Sequence, residues 1–204
     1  MVSLDRPVQA ERREFFLQCA KDVFAERGFE CTTMDDVARA AGFTKPILYQ
    51  FFPSKADLYH EIVTTTGAQL LSALSGAVRV DDVPRSRVRR ALGAYFSMVV
   101  NDPSAFRILF THGHSGTAAN DLQIIERRLV EFLVPFIDES RESDERRDLA
   151  AGVVGLAEGV AISWLRRQAR RGWPQVDPAE AARLAERATL LAWGGLHVLR
   201  TPHE

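Results

Sequence analysis

The sequence has almost none of the patterns that indicate β-strands. No segment alternates apolar and polar residues over six positions between turn residues. Cysteine is also scarce: the two among 204 residues, Cys19 and Cys31, are twelve positions apart and form no CxxC pair. This spacing predicts reduced thiols rather than a disulfide or a metal site. The N-terminal residues lack the apolar stretch of a signal peptide, so we expect a cytoplasmic protein.

An excess of positive charge is missing as well. The chain has 26 Lys and Arg residues against 27 Asp and Glu, a formal net charge of -1. This balance excludes a protein that holds nucleic acid by bulk charge alone, but it leaves room for a local basic face. The apolar run at residues 149–165 contains Glu158 and many small residues, so we expect a buried helix and no membrane span. In such a helix the Glu158 carboxyl must either face solvent or find a partner.

Helical periodicity is nearly continuous, with Gly, Pro and short polar clusters between the periodic segments. We therefore expect an all-α fold. The predicted helices span residues 8–27, 34–41, 45–52, 54–77, 84–100, 103–111, 117–139, 143–171 and 177–199.

Several helix ends have specific signals. Gly28 is expected to end the first helix in a left-handed conformation. Thr33 with Asp36, and Ser54 with Asp57, have the spacing of capping boxes. Two further expectations are that Thr44 caps the third helix and that Pro135 kinks the helix at 117–139.

Residues 33–52 have the spacing of a helix-turn-helix. Ala38 is the small residue where two helices would cross, and Gly42, four positions later, suits the turn. The residues expected to lock the helices together are Val37, Ala41, Phe43, Leu48 and Phe51. The residues expected to face outward are Thr44, Lys45, Pro46, Tyr49 and Gln50. In a major groove Lys45 can reach guanine, Gln50 an adenine edge and Pro46 a thymine methyl. The Ala/Gly spacing alone is equally compatible with a helical hairpin whose polar residues are merely solvated.

Residues 41–59, AGFTKPILYQFFPSKADLY, resemble the DNA-binding signature of the TetR family of bacterial transcriptional repressors. The matching elements are Thr32, Thr33, Ala38, Gly42, Tyr49, Phe52, Pro53, Ser54, Lys55 and Leu58. The resemblance implies a DNA-binding domain at residues 1–54 and a helical effector-binding and dimerisation domain at 55–204, with the fourth helix joining them. It also implies that Thr33, Tyr49 and Lys55 bind phosphates. Phe51 departs from the pattern, because many relatives carry histidine there. Residues 1–60 hold 8 Lys or Arg and 9 Asp or Glu, so we expect a modest salt dependence of DNA binding.

The same resemblance implies a small effector and a homodimer. Aromatic residues in the C-terminal region fall at helical spacings, which is typical either of a core or of a pocket between helices. The predicted effector contacts are Phe96, Phe106, Arg107, Phe110, Phe132, Phe136 and Trp164. Three segments (FRILF at 106–110, AGVVGLAEGVAISWL at 151–165 and AWGGL at 192–196) resemble actinobacterial TetR regulators of fatty-acid and lipid metabolism. This implies a hydrophobic, fatty-acyl effector, with acyl-CoA as one form.

Small residues on the last two helices predict a close helix–helix interface between two subunits. They are Ala151, Gly152, Gly155, Ala157, Gly159, Ala161, Ala188, Ala192, Gly194 and Gly195.

His112 and His114 have no fixed third ligand, so no metal site and no cofactor is predicted. The main hypothesis is a homodimeric repressor that binds a palindromic DNA operator and is released by the effector. An activator or architectural DNA binder without effector is the main alternative, and a helical enzyme is disfavoured because no catalytic set is present.

Overall fold

The computed structural model describes residues 5–79, 83–110, 119–137, 141–173, 177 and 179–198. Over these residues the chain is helical and contains no strand, which confirms the all-α prediction. The helices are α1 (Asp5–Cys31), α2 (Met34–Ala40), α3 (Lys45–Tyr49), α4 (Lys55–Ala77), α5 (Pro84–Asn101), α6 (Pro103–Phe110), α7 (Ala119–Leu133), α8 (Ser143–Arg170) and α9 (Glu180–Val198). A 3-10 turn, Val134–Phe136, follows α7. His112 and His114 lie outside the described residues.

The capping box predicted at Thr33 forms, and Ser54 makes the side-chain cap predicted for α4. The Thr33 Oγ1 accepts a hydrogen bond from the Asp36 N–H (3.1 Å), and the Thr33 N–H donates to the Asp36 carboxylate (3.0 Å). At the start of α4 the Ser54 Oγ accepts from the Asp57 N–H at 3.1 Å. These bonds satisfy amide groups that have no partner inside the helix. The position and direction of α2 and α4 are thus set locally.

The expectation for Thr44 is wrong in one respect, because its side chain makes no capping hydrogen bond. A capping side chain accepts from the second or third amide of the helix. The second position is Pro46, which has no N–H, and the third amide, of Ile47, donates to the Thr44 carbonyl at 3.0 Å. The Thr44 hydroxyl therefore has no helix N–H from which to accept a capping hydrogen bond.

The effects of Gly28 on α1 and of Pro135 on α7 differ from the predictions. Gly28 has a positive φ (79°) as expected, but its ψ is 167° and helical backbone continues beyond it to Cys31. Glycine populates this region readily because it lacks a Cβ. Pro135 does not kink one long helix: α7 ends at Leu133 and the 3-10 turn follows. A proline ring cannot continue the α-helical hydrogen-bond ladder.

The described residues form two compact units. The first contains residues 1–67 and 104–123, and the second contains residues 68–103 and 124–204. The first has a core of fully buried residues that includes Phe16, Phe24, Val37, Leu48, Phe52 and Leu58. In the second, α5 packs along α9, and α8 packs on both. Its fully buried residues include Leu70, Phe96, Ala161, Trp164, Leu184 and Ala188. The domain boundary between residues 54 and 55 stays a prediction.

Among the described residues, α8 is long and apolar enough to cross a membrane by length and composition alone. The core helix of a globular domain meets the same criterion. Ala157, Ala161 and Trp164 of α8 are buried within the second unit. This packing supports the interpretation of α8 as a core helix.

Arg13 of α1 connects three parts of the first unit. Its guanidinium pairs with the Glu61 carboxylate of α4, with one Nε–Oε1 distance of 3.0 Å. It also donates to the Phe51 carbonyl at 2.8 Å and lies over the Phe52 ring, 4.4 Å from its centre. Charge-assisted bonds of this bidentate kind are stronger than neutral ones. Arg13 therefore ties the end of α3 to both α1 and α4.

Replacing Arg13 should destabilise the first unit. We expect Arg13→Ala to lower the free energy of unfolding by about 1–2 kcal/mol, because the Glu61 carboxylate and the Phe51 carbonyl both lose a charged donor. The neighbouring Arg12 is exposed, and Arg12→Ala should change the free energy of unfolding by no more than about 0.5 kcal/mol. Urea denaturation of both variants checks this. Equal stabilities of the two variants would contradict the bracing role of Arg13.

Candidate functional site

The turn between α2 and α3 has the geometry of a helix-turn-helix. Ala38 and Val37 are buried, and so is Leu48 on α3. Gly42 has φ of 74°, and a Cβ at this position would meet nothing within 4 Å. Glycine is needed there for its backbone conformation and not for space. The Phe43 N–H then donates to the Ala38 carbonyl at 2.9 Å, which closes the turn.

Two of the predicted locking residues pack against α1. The Phe16 ring lies 5.1 Å from that of Phe43 and 5.2 Å from that of Phe51, both measured between ring centres. Phe43 remains 36% exposed, whereas Phe16 is fully buried. Tilted and edge-on aromatic pairs of this kind add to the stabilisation from buried area. The phenyl ring of Phe51 thus serves packing within the first unit.

The outward face of α3 is formed by the predicted DNA-contacting residues. Thr44, Lys45, Pro46, Tyr49 and Gln50 are all exposed, and Tyr49 is 42% accessible. The Lys45 Nζ lies 5.8 Å from the centre of the Tyr49 ring. The opposite side of α3 is held in the core through Leu48. A helix held by one side, with polar and cationic groups on the other, has the form that enters a major groove.

The two remaining predicted DNA contacts, Thr33 and Lys55, are already engaged within the protein. Thr33 is exposed and caps α2. The Lys55 Nζ donates to the Phe29 carbonyl at 2.8 Å and lies 4.3 Å from the centre of the Phe29 ring. An ammonium group has three N–H donors, so this bond leaves two for a phosphate. The contact with Phe29 holds the amine in place.

Acidic partners neutralise two of the nearby cations. Arg39 pairs with Asp35 at 2.6 Å, and Arg27 pairs with Asp36 at 3.2 Å. Exposed ion pairs of this kind contribute little to stability. They do lower the positive potential beside α3. Affinity for a polyanion must therefore depend on individually placed cations such as Lys45.

The second unit contains an apolar cavity of about 410 Å³, a volume that includes the space open to solvent at its mouth. The lining residues are Leu74, Val88, Ala91, Leu92, Tyr95, Leu129, Phe132, Leu133, Val153, Val154 and Ala157. They come from α4, α5, α7 and α8.

Of the predicted effector contacts, Phe132 lines this cavity. The Phe136 ring packs edge-on against the Phe132 ring, with 5.2 Å between the ring centres. Phe96 and Trp164 are fully buried in the second unit and are not among the lining residues. The Trp164 Nε1–H instead donates to the Glu180 carboxylate at 3.2 Å. Tyr95 lines the cavity, and its spacing of three, four and seven residues from Leu92, Ala91 and Val88 is the sequence signal that identifies this face.

The other three predicted effector contacts lie on α6, in the first unit. Phe106 is fully buried, Arg107 is half-buried, and the rings of Phe106 and Phe110 are 4.8 Å apart. The structure therefore divides the predicted set between the two units. Their role in ligand binding stays a prediction.

Glu158 lies half-buried on α8. Burial, together with the nearby Glu126 carboxylate, raises its pKa to about 7. Burial also raises the pKa of Tyr95 well above its usual range, and the Glu158 carboxylate adds to that rise. Of the two alternatives for Glu158, the structure thus shows partial burial with another acid as its charged neighbour.

Comparison with known proteins agrees with this geometry. Residues 16–62 match the family model described as bacterial regulatory proteins, tetR family. Over 190 residues the chain is 29% identical to the HTH-type transcriptional activator FasR of Mycolicibacterium smegmatis, covering 91% of this chain and 83% of that protein. A TetR-like transcriptional regulator from Rhodococcus sp. RHA1 superposes with a TM-score of 0.73 at 28% identity, covering 91% of this chain and 96% of the other.

Residues 16–62 of the chain are therefore the DNA-binding domain of the TetR family. The protein is a transcription regulator with an N-terminal DNA-binding helix-turn-helix, as the motif at residues 41–59 predicted. The fold is shared more widely: the regulator FadR from Bacillus subtilis, solved in complex with stearoyl-CoA, superposes with a TM-score of 0.74 at 14% identity, covering 89% of this chain and 98% of the other. At that identity the likeness concerns the fold.

The raised pKa of Glu158 makes the stability of the second unit depend on pH. Between the ordinary carboxyl value, 4.5, and about 7, the folded state holds a proton that the unfolded state has released. The free energy of unfolding therefore falls as the pH rises through this window. Glu158→Gln should match the wild type near pH 4.5 and exceed it at pH 8 by on the order of 1 kcal/mol, the partial exposure of Glu158 reducing the effect.

Thermal unfolding at pH 5, 6, 7 and 8 measures this difference. Glu186→Gln, on an exposed position of α9, is the charge-matched control. A constant difference between Glu158→Gln and wild type across the pH series would show that Glu158 does not titrate in this range.

Proposed function

We propose that the protein is a homodimeric cytoplasmic repressor that binds a palindromic DNA operator through α3 and releases it when a small hydrophobic effector occupies the cavity of the second unit. The observation that carries the proposal is the exposed polar face of α3, held by a buried Leu48 on its other side. A dimer would place two such helices about 34–36 Å apart, in successive major grooves. The proposal contains no catalytic step.

In this proposal the DNA-binding residues divide into two groups, those that contact bases and those that bind phosphates. Lys45 hydrogen-bonds to guanine, Gln50 to adenine, and Pro46 contacts a thymine methyl. Thr44 lies at the start of the helix beside these groups. Tyr49, Lys55 and Thr33 bind phosphates, the last two at helix N-termini where the helix dipole favours anions. The first group selects sequence and the second sets orientation.

Substitutions should separate these two roles. With an operator selected from a random DNA pool, we expect Lys45→Ala or Gln50→Ala to cost about 1–3 kcal/mol and to relax preference at one base position. Tyr49→Phe should weaken binding to all sequences alike. Arg89→Ala, an exposed residue of α5, removes a charge elsewhere and should leave affinity nearly unchanged.

Fluorescence anisotropy at fixed salt concentration, on the operator and on single-base variants, measures these effects. If Lys45→Ala and Gln50→Ala kept both affinity and base preference, α3 would not be the reading helix.

The exposed faces of α8 and α9 support the dimer. The predicted small residues divide into two groups: Ala157, Ala161, Ala188 and Ala192 are buried in the protomer, whereas Ala151, Gly152, Gly155, Gly159, Gly194 and Gly195 are exposed. Beside the α9 glycines, Leu190 is 53% and Leu191 is 61% exposed. Glycines allow close approach of helix backbones, and a second copy of these helices would cover both leucines.

Gly155→Gln tests this interface. Within the protomer a Cβ at position 155 meets nothing within 4 Å, and glutamine favours a helix more than glycine does. The variant should fold but dissociate to monomers, with a dimer affinity lowered at least about tenfold, because its side chain would separate the packed helices. Gly76→Gln on α4, with equally open surroundings, is the control. Analytical ultracentrifugation distinguishes the two, and a Gly155→Gln dimer as tight as wild type would place the interface elsewhere.

Two observations support a hydrophobic, fatty-acyl effector. The cavity lining is apolar apart from the Tyr95 hydroxyl. FadR, which shares the fold, was solved with stearoyl-CoA. Leu74 places α4 in the cavity wall, so an occupant would press on the helix that also carries Glu61, the partner of Arg13. Release of DNA needs only a few kcal/mol of coupling between the two sites.

A second candidate is transcriptional activation, because FasR, 29% identical, is named an activator. The sign of the effect on a reporter gene placed behind the selected operator decides between the two. A repressor lowers transcription when the protein is present, and an activator raises it.

A further inference from the structure

The end of α1 offers a hydrogen-bond acceptor to the side chain of Lys55. Gly28 departs from helical geometry (φ 79°, ψ 167°) shortly before α1 ends at Cys31. The last carbonyls of a helix lack partners within it, and lysine side chains can bond to them. The Thr32 hydroxyl donates to the Gly28 carbonyl at 2.8 Å. The Lys55 Nζ donates to the next carbonyl, that of Phe29, also at 2.8 Å.

The Phe29 ring forms a second contact with the same ammonium group. The Lys55 Nζ lies 4.3 Å from the centre of this ring, and cation–π attraction extends to about 6 Å. The ring is fixed by two neighbours: it stacks on Phe24, with 19° between the ring planes, and its centre lies 5.0 Å from that of Tyr59. Both neighbours are buried. Phe29 therefore holds the ammonium group from two sides, through a carbonyl and a ring of fixed orientation.

Neither of these contacts neutralises the charge of Lys55. The carbonyl and the ring are uncharged, whereas Arg27 and Arg39 of the same unit are each paired with an aspartate. Among the described residues Lys55 has no ion-pair partner. Its ammonium group is thus both held in place and available to an anion.

We propose that Phe29 is a positioning residue for DNA binding, because its carbonyl and ring hold the Lys55 ammonium group where it binds a DNA phosphate. The inference rests on the proposed function, in which Lys55 is a phosphate contact. Immobilising a flexible side chain on binding costs free energy. Since the Lys55 side chain is already held in the folded protein, less conformational freedom is lost when DNA binds. Phe29 contributes to affinity in this way without touching DNA.

Replacing the ring tests the first part of this inference. Phe29→Leu keeps the carbonyl and an apolar side chain but removes the aromatic face, and Phe29→Tyr, the matched control, keeps that face. We expect Phe29→Leu to weaken binding to all DNA sequences about two- to tenfold, the cost of ordering one flexible side chain. Phe29→Tyr should stay within about twofold of the wild type, because tyrosine also binds cations over its ring. Fluorescence anisotropy on the selected operator measures both, and thermal unfolding shows that each variant is folded at the temperature used.

A double-mutant cycle with Lys55→Met separates positioning from a structural effect. Methionine keeps an unbranched side chain but carries no charge. Lys55→Met should lower affinity and reduce the slope of log Kd against log salt concentration by about one, the value for one lost phosphate contact. Phe29→Leu should leave this slope unchanged, because the charge remains. In the Lys55→Met background, Phe29→Leu should cause little further loss of affinity, since the group that it positions is gone.

The outcomes distinguish this inference from the proposed function. An equal loss from Phe29→Leu in both backgrounds assigns Phe29 a purely structural role and overturns the inference. Operator affinity in Phe29→Leu equal to that of the wild type overturns it as well. If Lys55→Met keeps the affinity and the salt slope of the wild type while Lys45→Ala loses affinity, the inference fails and α3 remains the reading helix. A wild type that selects no sequence from the random DNA pool contradicts the proposed function and the inference together.

Discussion

The attachment of α4 to the DNA-binding helices is the constraint on which the rest of this protein depends. Arg13 binds the Glu61 carboxylate of α4 and the Phe51 carbonyl just after α3, and Lys55 joins the start of α4 to the Phe29 carbonyl. Further along, Leu74 of the same helix lines the apolar cavity. One continuous helix therefore carries both the contacts that position α3 and part of the cavity wall. In the proposed mechanism, α4 is therefore the element through which occupancy of the cavity would act on α3.

The charge available to bind DNA depends on individual side chains and not on the net charge of the chain. The net charge is -1, and two arginines near α3 are paired with aspartates. In the proposed DNA contact, Lys45 and the N-termini of α2 and α4 would supply positive charge or positive potential. In the second unit burial raises the pKa of the half-buried Glu158, and the Glu126 carboxylate adds to that rise.

Small residues serve two purposes that the sequence does not distinguish. The buried alanines of α8 and α9 allow the two helices to pack within one protomer, and in the proposed dimer the exposed glycines would allow another backbone to approach. The exposed Leu190 and Leu191 show which side of α9 lacks a cover in the protomer. Alanine and glycine occur within the same turns of both helices, so only the tertiary structure shows which of these small residues are buried and which are exposed.

The sequence by itself determined the features that depend on neighbours within about four positions. The all-α fold, the capping box at Thr33, the side-chain cap at Ser54, the positive φ of Gly28 and Gly42 and the helix-turn-helix all follow from local hydrogen bonds and backbone sterics. Only the tertiary structure decided that Phe132 and Tyr95 line the cavity whereas Phe96 and Trp164 are core residues. It also decided that Glu158 lies beside Glu126. Helical periodicity shows which residues share a face, but the environment of that face depends on helices distant in the chain, and burial and charge are set by that environment.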